Sequence, residues 1–376
     1  MAEVFETNEI AYRACILYEA VRQTPVEDAY KNMKEVKPNV EYSEFEYWYY
    51  RFFNGQHDLN HDRNTDLGLS DMPMEVADNI VGYLGLEDKL STRKVCRNMR
   101  AVIDNQASKF DRAVLSISDK FCDIFFDSEH IRYSSQKNRN YLLATPRKKM
   151  SLKGDHSIAA IEEFASVITH PKWSFDYLLI GFDEEDSHPE NERKSVIFLN
   201  SLLSNNKFHV KFLSIDAHSF EPLAILLPHF EADKLEFECF SPMNDTNLLE
   251  VIVKMDQWKK VKEFHAGSLP DEFSIEVLFH ARECYAHVKL TEDRLVKIRD
   301  ILFKTSTFDR FVFHDEKEEN REEHTVLVDR VMGAHDAYDP ETKVYRIENS
   351  NDHIQISIKE SGEDHSRSVY IERIRS

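Results

Sequence analysis

Leu69-Ser70-Asp71-Met72-Pro73-Met74-Glu75-Val76, running on through Ile80, Leu84 and Leu90 to Arg93-Lys94-Val95-Cys96-Arg97, is the stretch around which this chain is organised. Its spacing predicts three short helices that turn an apolar face to another protein. Asp71 is a candidate N-cap, and Pro73 falls in the first turn, where its missing N–H costs nothing. Val76, Ile80 and Leu84 recur at helical spacing until Gly85 stops the helix. A second helix from Glu87 carries Leu90, and a third brings Val95, Met99, Val102 and Ile103 to one side. About forty residues is marginal for an independent core, so a unit this small and apolar docks on something larger.

The run resembles the F-box, whose hallmark is a leucine–proline pair, an acidic residue and spaced aliphatics, ending in an arginine–valine–cysteine–arginine-like run. Met72 stands where that family usually has leucine, and methionine fills the same kind of pocket. The resemblance implies docking on the small Skp-type subunit of a cullin–RING ubiquitin ligase. The residues it nominates are Leu69, Met72, Pro73, Glu75, Val76, Ile80, Leu84, Leu90 and Val95. A helical hairpin buried in its own domain is the alternative.

Composition bounds the rest. A chain of 376 residues holds two or three domains, and 41% hydrophobic content with 25 Phe and 15 Tyr supplies real cores. No run of eighteen apolar residues exists to span a membrane, and the N-terminus lacks the pattern of a signal peptide. Five scattered cysteines read as reduced thiols of the cytosol or nucleus, with neither a disulfide frame nor a zinc site. The net charge of −20 is unevenly spread: residues 1–66 carry −6, residues 67–106 carry −1, residues 107–150 carry +4, and the remainder −17. Such a field repels phosphate backbones and favours neutral or basic protein partners.

Residues 1–66 read as a helical module. Ile10, Ala14, Leu17 and Val21 share a helical face that Cys15, Ile16 and Tyr18 widen, Thr24 as cap and Pro25 begin a second helix with Ala29, Met33 and Val36, and Ser43 is a candidate cap of a third bearing Phe45, Trp48, Tyr49 and Phe52. Cys15-Ile16-Leu17-Tyr18-Glu19 and Phe52-Phe53-Asn54-Gly55 with Leu59 resemble the helix-turn-helix module of mariner-type transposases. A DNA reader would be basic on the third helix, but Glu41, Glu44 and Glu46 precede a single Arg51. The aromatics therefore read as core packing rather than a stacking platform for bases.

Residues 107–153 are a connecting segment. Ala113 to Ile117, Ile124 to Phe126 and His130 to Tyr133 are candidate strands, and the basic stretch from Lys137 to Lys149 reads as a solvated linker. From residue 177 a motif recurs: large, two residues, apolar, one residue, apolar. Its copies are Tyr177/Ile180/Phe182, Val210/Leu213/Ile215, Ala232/Leu235/Phe237, Val261/Phe264/Ala266, Tyr285/Val288/Leu290 and Phe308/Phe311/Phe313. Helical stretches lie between them, and the spacing is close to that of leucine-rich repeats, without the usual Asn or Cys ladder. Thr291 is a cap for the last helix. The charged run from Glu316 to Glu323 reads as a loop, and three closing strands follow. An α/β layer protein whose strands merely share alternation is the alternative.

The strand–helix alternation, with Val344-Tyr345-Arg346-Ile347-Glu348-Asn349-Ser350 and Ile354-Gln355-Ile356-Ser357-Ile358-Lys359, resembles the FTH domain that accompanies F-boxes in a nematode-expanded family. It covers residues 154–376. The fold class is therefore α+β and multidomain: a helical bundle at 1–66, a three-helix F-box at 67–106, the connecting segment, and an irregular leucine-rich-repeat-like stack closed by β-strands. No phosphate loop, nucleophile elbow or calcium loop is present, and the pair His57 and His61 lacks the glutamate of a metalloprotease helix. The reading is a non-catalytic adaptor, needing no metal and no cofactor, that recruits a protein target. Candidate target-binding residues alternate with the core positions: Lys211, Glu236, Glu238, Lys262, Glu263, His265, His287, Lys289 and Arg310. A scaffold that binds the Skp-type subunit without a target, and a DNA-binding regulator, are the rivals.

Overall fold

The computed structural model describes residues 8–62, 73–184, 186–203, 206–240, 246–305, 307–315, 321–333, 336–337, 342–347, 350–360 and 367–375. Two compact units meet in the chain at Val76. The expectations placed on Leu69, Asp71 and Met72 lie outside the described residues.

The first unit contains helices α1 (Glu9–Val21), α2 (Val26–Val36) and α3 (Tyr42–Phe53). Its core is aromatic: Phe45, Trp48, Tyr49 and Phe52 of α3 pack with Ala29 and Met33 of α2. The packing face of α1 centres on Ile16, at the side of the expected face rather than its middle. Tyr12, Ile16 and Ala20 are buried, while Ile10, Tyr18 and Val21 are exposed. The helix is apolar nearly all round, so periodicity alone does not choose its face. Asn8 caps α1 through Ala11 N, whereas neither Thr24 nor Ser43 serves as a side-chain cap.

The second unit begins within α4 (Met74–Gly82), continues through α5 (Leu86–Arg93) and α6 (Arg97–Asn105), and then forms one large sheet. The parallel centre consists of β1 (Ser108–Ile117), β6 (Trp173–Phe182), β7 (Phe208–Ala217), β8 (Phe230–Cys239), β9 (Glu263–Ser268), β10 (Glu283–His287) and β11 (Arg310–Asp315). Each strand lies beside the previous one. The crossovers include α7 (His156–Ile168), α8 (Pro189–Leu203), α9 (Glu221–Leu226), α10 (Thr246–Ile252), α11 (Asp256–Lys260) and α12 (Glu292–Leu302). Right-handed crossovers that always add to the same edge keep the helices on one face of the sheet.

The strand register corrects the repeat. Phe110/Ala113/Leu115 aligns with Phe175/Leu178/Ile180, then with Val210/Leu213/Ile215, and all nine residues are buried. The series continues through Ala232/Leu235/Phe237, Val261/Phe264/Ala266, Ala281/Cys284/Ala286 and Phe308/Phe311/Phe313, again all buried. The motif therefore starts in β1. Tyr177 and Tyr285 belong to the opposite face, and the copies they head in the sequence pattern start two and four residues beyond the structural ones. Small residues at the motif's heads (Ala281, Cys284, Ala286) hide it from a search for large apolar side chains.

The spacing of three then two has a mechanical cause. Pairing lapses at the residue after the first core position: Asp111, Asp176, Lys211 and Asp233 are skipped in the register. Charges there bridge neighbouring strands. Asp176 meets Lys109 at 2.8 Å and Lys211 at 2.9 Å, and Lys262 meets Asp233 at 2.7 Å. An ion ladder thus occupies the strand entries.

Both ends of the sheet are antiparallel. At one, β2 (Phe121–Phe126) is followed by β3 (Glu129–Gln136), over the candidate strand at His130 to Tyr133, and the segment read as a solvated linker holds β4 (Asn140–Ala144) and the start of β5 (Lys149–Lys153). Its charges mask a strand pattern because these edge strands bury little. At the other end, β15 (Arg367–Ile374) pairs with β11, followed by β14 (His353–Glu360), β13 (Thr342–Arg346) and β12 (Asp336–Ala337). The expected loop at 316–323 is already helical from its sixth residue, in α13 (Arg321–Met332).

Candidate protein-docking surfaces

The F-box-like helices have a small core of their own. Ala77 and Val81 of α4, Leu86 and Leu90 of α5, and Met99, Val102 and Ile103 of α6 are buried. Leu90, nominated as a contact residue, is therefore a packing residue. Val95 precedes α6 and is exposed, away from the side that Met99, Val102 and Ile103 form. Alternate positions of α4 point out: Val76 is 46% and Ile80 48% exposed, and Leu84 just beyond is part-buried. Pro73 and Glu75 are exposed as well. Tyr83, just past the end of α4 and 94% exposed, extends the stripe; Met74 is exposed as well but, two residues before Val76, stands on the other side of the helix. Sequence reasoning missed Tyr83, although it stands three residues past Ile80 and seven past Val76, on the same helical face.

The seat of these helices on the sheet is polar. Glu129 of β3 reaches the start of α5, where its two carboxylate oxygens accept from Leu86 N and Glu87 N, each at 2.8 Å. A carboxylate at a helix N-terminus satisfies free donors and the helix dipole together. Gly85 leaves room for it: a Cβ there would lie 2.6 Å from Glu129 Oε1. Gly85 thus opens α5, whereas α4 already ends at Gly82. Arg147 pairs with Asp88 at 2.6 Å and Thr145 donates to Glu87 at 3.2 Å. Arg93, the last residue of α5, binds Asp104 of α6 at 2.6 Å, which holds the Asp104 carboxyl below the usual carboxylate range. Lys172 donates to Asn105 O at 3.0 Å, and Trp173 Nε1 to Gln106 O at 3.3 Å. Part of the basic charge of residues 107–150 is consumed in this seat.

The second surface is the sheet face opposite the motif. Register places Ser214, Glu236, His265, Tyr285 and Val312 in one row across β7 to β11. Asp216 and Glu238 stand opposite each other in the next row, flanked by Gly181 and Gly267. A Cβ on Gly267 would lie 3.4 Å from Glu238 Cγ, and one on Gly181 3.6 Å from Asp216 Oδ2. Burial, then Glu238 and Glu236, push the Asp216 carboxyl up to about 6. Around them, Tyr177 and Phe212 form an edge-on pair at 4.8 Å and His265 lies 4.3 Å from Tyr285. Lys234 is held by Glu263 at 2.6 Å.

The nominated target residues divide. Glu236, Glu238, Glu263, His265, His287 and Arg310 share this face. Lys211 and Lys262 belong to the ion ladder instead. Lys289 follows β10 in the loop before α12, where its carbonyl accepts from the buried Arg294. Asp216 was missed because Lys211 was given the alternate position that Phe212 holds. Among the described residues no cluster of His, Cys, Asp and Glu is placed to hold a metal ion, and no helix is long and apolar enough to cross a membrane.

Comparisons with known proteins find three family matches along the chain. Residues 9–56 match the HTH domain of Mos1 transposase, residues 69–111 the F-box domain, and residues 195–330 the FTH domain. A relative from Caenorhabditis elegans, F-box A protein 224, is 31% identical over 333 residues, covering 82% of this chain and 84% of its own length. No solved structure matches.

Proposed function

The chain belongs to the family of F-box A proteins, and on that premise we propose that it is the substrate-recognition adaptor of a Skp–cullin–F-box ubiquitin ligase. The observation that carries this is α4: an apolar stripe left open on a unit whose own core is complete without it. Val76, Ile80 and Tyr83, with Met74, Pro73 and Glu75, are the proposed seat of the Skp-type subunit. The parallel strands, read as an irregular leucine-rich-repeat-like winding, offer the face of β6 to β10 opposite the motif to a protein target. Glu236, Glu238, His265 and His287 are its proposed contacts, joined by Asp216. Catalysis is by proximity: holding a target lysine near a charged conjugating enzyme raises effective concentration. The hydrogen-bonded seat at Glu129 supports this role, because a fixed spacing between subunit and target limits the positions a lysine samples.

The test is co-purification. With Val76 and Ile80 both changed to Asp, the Skp-type subunit is lost while the sheet unit keeps its fold; undiminished binding overturns the proposal. A scaffold that sequesters the subunit without a target is separated by ubiquitin-chain formation on a co-purified protein that depends on an intact α4. The match to a transposase HTH domain favours a second reading, DNA binding by the N-terminal helices. The −6 charge of residues 1–66 opposes it. The full chain should show no duplex binding at physiological salt.

A further inference from the structure

A cavity of about 440 Å³ opens at the carboxyl ends of β1 and β6, between the first turn of α7 and one side of α8. Neither docking surface uses it. Ile158 and Ile161 of α7, Phe182 of β6 and Phe198 of α8 give it an apolar wall, and Asp119, Asp155, Glu192 and Ser195 give it oxygens. The carboxyl ends of parallel strands are where such folds place small ligands, and the volume lies in the range of ligand pockets.

Two groups on α8, three residues apart and so on one helical face, are buried here with hydrogen-bonding capacity left over. Glu192 is only 3% exposed. Its Oε2 accepts from His218 N at 3.0 Å and lies 2.8 Å from His218 Nδ1. Its Oε1 has no hydrogen-bond partner among the described residues. Ser195 is 9% exposed, and its hydroxyl also has none among the described residues. Both atoms belong to the cavity lining and are open to it, so the site offers a free carboxylate oxygen and a hydroxyl to a guest that brings N–H groups and positive charge. The other carboxylates are already engaged. Asp119 accepts from Asn191 at 2.9 Å, and Asp155 caps α7 through Ser157 N and Ile158 N. Both still contribute negative potential. Lys194, the lysine of the lining, is exposed and reaches Asn191 at 3.5 Å.

We propose that this cavity is a binding site for an alkylammonium or alkylguanidinium group. The cationic head donates to Glu192 Oε1 and Ser195 Oγ, and the aliphatic stem packs on Ile158, Ile161 and Phe198. Such a group belongs either to a free small amine or to a lysine or arginine side chain of a bound protein. The site stands apart from the adaptor reading and does not require it.

Calorimetric titration of the full chain with butylammonium and butylguanidinium chloride tests it, 1-pentanol being the neutral comparison. At least tenfold tighter binding of the cations is expected. Glu192→Gln should lower their affinity tenfold or more. Because that change also touches His218, Ser195→Leu, which fills the cavity and spares the His218 bond, should abolish binding, with the melting temperature checking that both variants fold. The blocked tripeptide glycyl-lysyl-glycine, free and with its lysine acetylated, separates the sources. Binding lost on acetylation assigns a protein side chain; binding of the small cations alone assigns a free amine. Equal binding of pentanol and butylammonium, or no binding of any probe, overturns the proposal.

Discussion

Helix α4 is exposed and the sheet face of β6 to β9 is largely part-buried, and the two are built in opposite ways. The helix and its exit concentrate Val76, Ile80 and Tyr83 within eight consecutive residues. The sheet face assembles Tyr177, Phe212, Asp216, Glu236, Glu238 and His265 from four strands, charged and aromatic side by side. An apolar stripe gives affinity in proportion to buried area and asks little of its partner beyond shape. A charged face attracts matched partners and penalises others. The contrast suits an adaptor that meets one constant subunit and one selected target.

The largest effect expected is at α4. Each buried aliphatic contributes roughly 1.5–3 kcal/mol, so Val76→Asp with Ile80→Asp should weaken the Skp-type subunit by more than about a hundredfold. Calorimetry measures this, and an unchanged near-ultraviolet circular dichroism spectrum shows that the fold survives. If the same affinity is retained, α4 is not the seat.

Next comes the latch between the F-box helices and the sheet. Glu129→Ala removes the acceptors of Leu86 N and Glu87 N, at a cost of about 1–3 kcal/mol. Hydrogen exchange at those two amides should accelerate while the subunit's affinity stays within about twofold. Unchanged exchange there would mean that the two helices are held by apolar packing alone, and the comparison would lose its fixed spacing.

These two surfaces were unequally legible in the sequence. Val76 and Ile80 could be placed because helical periodicity is local: one turn predicts the next. The strand faces depend on register, and the skipped residue at Asp111, Asp176, Lys211 and Asp233 switches the face part-way along the strand. Glu236 and Glu238 were placed on the face opposite the motif because they lie beyond that switch, whereas Lys211 and Lys262 lie at it. The seat at Glu129 had no sequence signal, since it joins residues more than forty positions apart. Residues 137–149 looked like a linker because edge strands need no continuous apolar side.

A smaller effect is expected at Asp216. Burial and the neighbouring glutamates raise its folded pKa to about 6 from 3.8, so the folded chain holds a proton that the unfolded chain releases between those values. This contribution to stability is full below pH 3.8 and is lost as pH rises through about 6. Asp216→Asn should therefore raise stability at neutral pH by roughly 1 kcal/mol and flatten that part of the pH profile. Thermal melts between pH 4 and 8 check both. A destabilised variant would indicate that the carboxylate is held by a cation after all.

The most direct measurement is quantitative mass spectrometry of proteins co-purified with three versions of the full chain: unmodified, Val76→Asp/Ile80→Asp, and Glu236→Lys/Glu238→Lys. The α4 variant should lose the Skp-type subunit and keep the target, and the sheet variant should lose the target and keep the subunit. Loss of both by either folded variant, or of neither by both, would contradict two separate surfaces with separate partners.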